Sequence, residues 1–116
     1  MRSKTQSPYR KERAVSLMQE LAAKYLQSEA SRASLISITK TEISSDMKHV
    51  TFFISVFPST EESRALDFAR RKRTQVREYI DKNAKVPRLP IVDFELDIGE
   101  KNRKRVDELL AEDKNR

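Results

Sequence analysis

The chain has no cysteine, no tryptophan, one histidine and one glycine. Each scarcity removes a class of function. Without cysteine there is no disulfide and no thiolate metal site. That composition fits a reducing compartment, and a cytoplasmic protein is expected. The single glycine, Gly99, cannot build a phosphate loop or a dinucleotide fingerprint, because both need several glycines for close backbone approach. The single histidine, His49, leaves little for nucleophilic or phosphoryl chemistry. No apolar run approaches the roughly 20 residues of a membrane span, and the charged N-terminus has no apolar signal core. Nothing suggests export or a membrane. No enzyme is expected, no cofactor and no metal.

Charge is abundant. Of 116 residues, 24 are Lys or Arg and 18 are Asp or Glu, a net charge of +6. The hydrophobic fraction is 37%, so one lean core must serve the whole chain. At roughly 25 cal/mol per Å² buried, that suffices for a single small domain with little margin. The charge is also uneven. Between Arg70 and Arg88 lie eight basic residues against Glu78 and Asp81. A dense positive surface on a small core is the footprint of a protein that docks on nucleic-acid phosphates.

Periodicity sets the elements. Met1 to Tyr9 is polar and reads as a flexible tail. From Arg10 to Glu29 the apolar residues Val15, Met18, Leu21, Ala22, Tyr25 and Leu26 recur at helical spacing. Leu35 to Ile43 is β-branched, Ser44-Ser45-Asp46 is turn chemistry, and Lys48 to Phe57 alternates. Val50, Phe52, Ile54 and Val56 share one face, with His49, Thr51, Phe53, Ser55 and Phe57 opposite. The pair predicts an antiparallel hairpin. Pro58 ends it, and Ser59 with Glu62 reads as a capping box opening a helix. Leu66, Ala69, Val76 and Ile80 line that helix, but the apolar slot between Ala69 and Val76 holds Lys72 or Arg73. A break near Arg71 to Thr74 follows, giving two helices, the second ending near Ala84. Pro87 and Pro90 bracket a turn. Ile91 to Leu96 predicts a third strand ended by Gly99, and about Glu100 to Glu112 a last helix with Val106, Leu109 and Leu110. The order predicts an α+β fold with helices on one face of a three-stranded sheet.

This order resembles the ribosome-binding factor A family from about Arg10 to Leu110. Arg10-Lys11-Glu12-Arg13 with Met18-Gln19 and Leu26-Gln27 looks like its opening helix. Glu42-Ile43-Ser44-Ser45-Asp46-Met47 and the strand after it look like its hairpin. Val76-Arg77 followed by Pro90, Phe94 and Asp97 is similar to its last helix and strand. The chain reads as a divergent member. Lys72-Arg73-Thr74 stands where the family has an Ala-x-Gly kink, Arg88 is displaced by one residue, and Ala30-Ser31-Arg32 replaces Asp-Pro-Arg. The resemblance implies a type II KH-like domain without the glycine loop, spanning 10–98, with a C-terminal helix and tail at 99–116. It also implies a monomeric maturation factor that binds the precursor small ribosomal subunit and its RNA.

Candidate RNA-binding residues are Arg70, Arg71, Arg73, Arg77, Lys85 and Arg88, with Arg10, Lys11 and Arg13 beside them. Arginine dominates the run and suits bidentate phosphate contact. Reversing Arg71, Arg73 and Arg77 to glutamate is then expected to abolish binding and leave melting nearly unchanged. Asp93, Glu95 and Asp97 alternate and could hold a divalent ion, but a polar sheet face is the preferred reading. Phe53 and Phe57 could stack on bases; packing against helices is preferred. His49 reads as a half-exposed strand residue. Two other functions stay open: a DNA-binding module, and an interaction protein using Val106, Leu109 and Leu110.

Overall fold

A computed structural model of the chain describes residues 8–114. Seven elements and one short 3-10 turn follow in order: α1 (Pro8–Glu29), β1 (Leu35–Ile43), β2 (His49–Phe57), the turn Ser59–Glu61, α2 (Glu62–Arg71), α3 (Arg73–Asn83), β3 (Ile91–Leu96) and α4 (Ile98–Lys114). Of the expected tail from Met1 to Tyr9, residues 1–7 lie outside the described residues, while Pro8 and Tyr9 are helical. α1 thus includes the two residues before the expected start at Arg10.

The sheet runs β1-β2-β3. β1 and β2 are antiparallel, and β2 and β3 are parallel, with Val50 opposite Val92 and Phe52 opposite Phe94. Both edges are exposed to pairing by other chains, and each is modified. β1 carries a bulge at Thr39, between Ile38 and Lys40. The extra residue shifts the alternation, so Ile36 and Ile38 face the core before it and Thr41 and Ile43 after it. β2 needs no such correction. Val50, Phe52, Ile54 and Val56 are all buried.

Helices α1, α2 and α3 cover one face. α1 contributes Met18, Leu21, Ala22 and Leu26, α2 Ala65 and Ala69, α3 Val76 and Ile80. The rings of Phe52 and Phe94 meet at 5.6 Å in the middle of this core. The expected break falls at Lys72, whose amide bonds back to Phe68 and Ala69 while its carbonyl accepts from Val76. Lys72 has φ of −97°, so this break needs no glycine. Ala69 and Val76, on either side of the break, are both buried in the same core.

Three local expectations are corrected. The capping box does not form: no side chain caps the turn at Ser59 or the start of α2, and the 3-10 turn supplies the entry instead. Gly99 does not end β3. Asp97 does, because its carboxylate accepts the Glu100 amide at 2.9 Å and starts α4 at Ile98, leaving Gly99 inside the first turn. Phe53 and Phe57 do not pack under α1, α2 or α3, which lie on the other face. Phe57 is 68% exposed, and Phe53 sits 4.5 Å beneath the Lys40 ammonium.

Candidate nucleic-acid interface

The basic run belongs to α2 and α3, which lie against β3. In a parallel ladder alternate residues of a strand bond inward, and the others present their polar groups to the free edge. The Ile91 amide donates to the Lys48 carbonyl, just before β2, and the Asp97 amide to the Ile54 carbonyl within it. Pro90 and Phe94 therefore turn their carbonyls outward. Arg70 Nε donates to the Phe94 carbonyl at 3.0 Å. Arg77 Nε donates to the Pro90 carbonyl at 3.0 Å, and its Nη2 to the Leu89 carbonyl at 2.7 Å. Arg73 reaches Asp93 at 3.2 Å, and Arg70 lies 3.7 Å from the same carboxylate. The three arginines form a ladder along the exposed edge of β3.

This arrangement has two consequences. Carbonyls orient a guanidinium without cancelling its charge. One aspartate is shared by two arginines, so the edge stays cationic. Each guanidinium has five N–H donors, and Arg77 spends only two of them on these carbonyls. The remaining donors sit on side chains held in place, a good arrangement for bidentate phosphate contact. The same bonds make Arg73 and Arg77 part of the fold. Reversing Arg71, Arg73 and Arg77 to glutamate should therefore lower melting as well, since glutamate at 73 or 77 would repel Asp93 or the backbone carbonyls.

The other candidates divide between two places. Arg71 points away from the ladder. It lines a hollow with Arg64, Phe68 and Ser31, beside the start of β1. Arg88 and Lys85 lie on the loop between α3 and β3, both exposed. Lys11 is brought near Arg88, because the start of α1 and this loop flank one groove. Arg13 is exposed on α1, and the Arg10 side chain lies outside the described residues. Lys48 joins Lys11 and Arg88 and was missed. A lone lysine after a turn carries no sequence signal, since only the parallel register brings it to β3. Lys72 pairs with Glu29 of α1 at 3.9 Å.

The acidic candidates are accounted for by other bonds. Asp93 faces Arg70 and Arg73. Asp97 accepts from the Thr39 hydroxyl and from the Glu100 amide. Those two hydrogen bonds, the Thr39 one first, hold its carboxyl below the usual carboxylate range. Among the described residues no group of three metal-ligating side chains comes together. No described helix is long and apolar enough to cross a membrane.

Residues 10–110 match the model of the family described as Ribosome-binding factor A. A curated relative of that name from a Synechococcus strain is 29% identical over 94 residues, covering 80% of this chain and 70% of its own. The crystal structure of ribosome-binding factor A from Thermus thermophilus superposes with a TM-score of 0.65 at 17% identity, covering 73% of this chain and 93% of that one. A Thermus thermophilus homology model, fitted into a map of a 30S complex with ribosome-binding factor A, gives 0.57 at 17% identity, covering 70% and 88%.

Proposed function

This chain belongs to the ribosome-binding factor A family, and on that footing we propose that it is a maturation factor of the small ribosomal subunit. It binds the precursor particle and its RNA, assists processing and assembly, and leaves. It acts in the cytoplasm, as a monomer, by binding and without catalysis or cofactor. One observation carries this reading beyond the family: the arginine ladder of Arg70, Arg73 and Arg77, fixed on β3 yet still charged. A gripping surface for a phosphate backbone needs positioned cations, and backbone contacts position a protein without reading base identity. Lys85, Arg88, Lys11 and Arg13 add exposed positive charge beyond the ladder, and Arg71 adds its own beside the start of β1.

The test is sedimentation of the purified protein with precursor small subunits through a gradient. Co-migration with the small subunit, undisturbed by added duplex DNA, is expected. A pool that stays free, or that moves onto the DNA, overturns the reading.

A further inference from the structure

A groove of about 590 Å³ lies between the start of α1, the β1–β2 turn and the α3–β3 loop. Its floor is apolar, with Val15, Leu89, Met47 and Ile91, the last two 47% and 58% exposed. Lys11, Lys48 and Arg88 line its rim. No ion pair among the described residues uses any of the three. The acid present, Asp46, is already engaged by the Ser44 hydroxyl and the Lys48 amide.

Two residues of this groove are unusual. Met47 has φ of 61° and Arg88 φ of 53°, the only left-handed residues without glycine's freedom among those described. Glycine is the ordinary occupant of such positions, and a long side chain there is strained. Both strained residues are pinned. The Met47 amide bonds to the Ser44 carbonyl at 2.8 Å, inside a turn closed by Ser44 and Asp46. Arg88 is followed by Leu89 and Pro90, whose carbonyls Arg77 holds. The Ile91 amide bonds to the Lys48 carbonyl and ties the two turns together. Backbone strain of this kind clusters at ligand clamps and switch segments, and here two such residues line one groove.

We propose that this groove seats one unpaired nucleotide of RNA, its base on Met47 and the apolar floor and its phosphates on Lys11, Lys48 and Arg88. The proposal rests on the RNA-binding reading above and deepens it. Three cations against the one Asp46 carboxylate leave the groove net positive, which favours an anionic partner. The floor lies inside that rim, so a base must leave its stack to reach it, which is cheapest where the base is unpaired. The arginine ladder holds backbone, and the groove adds a contact that only a base can fill.

The test uses a labelled octa-adenylate and an octamer of the same ribose phosphates lacking every base, at one fixed salt concentration. The parent should bind the base-bearing strand about tenfold tighter, in the range of one base on a side-chain platform. The double variant Met47→Gly, Arg88→Gly should melt at or above the parent and bind the two strands within about twofold of each other. Met47→Asn, which also accepts left-handed backbone, should lose the preference too and serves if the double variant melts lower. A parent that binds both strands alike, or neither, overturns the proposal, as do variants that keep the preference. A parent that sediments with small subunits yet shows no preference overturns this groove and leaves the maturation reading standing. A parent that does not sediment with them overturns that reading.

Discussion

Asp97 joins three elements that are far apart in sequence. Its amide donates to the Ile54 carbonyl and extends β3. Its carboxylate starts α4 and accepts from Thr39, the bulged residue of β1. The folded carboxyl titrates below its ordinary value, chiefly because of the Thr39 hydroxyl and then the Glu100 amide. A depressed carboxyl contributes stability that is present above the unfolded value and lost as pH falls through the folded one. Acidification below about pH 4 should therefore lower the melting temperature. Asp97→Asn should lose less on acidification than the parent, since Asn caps without titrating. Equal losses would show that Asp97 is uncoupled from folding. The strand faces give a second comparison. Phe52 is fully buried and His49 exposed. Phe52→Ala should cost about 3–5 kcal/mol in urea unfolding, and His49→Ala less than about 1 kcal/mol. Similar costs would mean the faces are reversed. These faces were legible, because Val50, Phe52, Ile54 and Val56 alternate without interruption. Asp97 was not, because its partner Thr39 lies 58 residues away and reaches it only through a bulge.

At the level of elements, the edge of β3 decides how the basic run is used. An uncovered strand edge invites pairing with another chain. Arg70 and Arg77 occupy its outward carbonyls from α2 and α3. Removing either side chain by mutation to alanine should cost about 1–2 kcal/mol, reduced from the full value of a charged hydrogen bond by partial exposure. Urea unfolding measures it, and a cost near zero would show that these bonds add nothing. The double alanine variant should also self-associate through β3, seen as growth in sedimentation. The break between α2 and α3 was readable, because a cation occupies an apolar slot of the helical pattern. The ladder was not. A charge run looks the same whether it faces water or a strand edge, and the parallel register that sets the partners has no local signature. The missing capping box has the same origin: Ser59 and Glu62 have the right spacing, but a 3-10 turn occupies it.

For the whole molecule, charge and topology matter most. If six or so phosphates are neutralised, the logarithm of affinity for small-subunit RNA should fall with the logarithm of salt at a slope of roughly −4 to −5. Titrations at several salt concentrations suffice, and a flat line would rule out an electrostatic grip. The order of elements, the three strands and the break were all legible, because each rests on composition over several residues. α4 was placed as a helix, but its apolar residues Val106, Leu109 and Leu110 remain about half exposed. The parallel pairing of β2 with β3 also gives a test of how the chain folds. The β1–β2 hairpin closes across a short turn, whereas Val50 pairs with Val92 across the whole of α2 and α3. Contacts between distant segments form late, because loop closure must precede them. If the bonds of Arg77 to Leu89 and Pro90 form after the rate-limiting step, their loss acts on unfolding alone. Arg77→Ala should raise the unfolding rate and leave the folding rate nearly unchanged, so its whole effect appears on one arm of the chevron. A slowed folding arm would place β3 docking inside the nucleus. The arginines that hold the last strand would on this account govern how long the folded state lasts, and have little influence on how quickly it is reached.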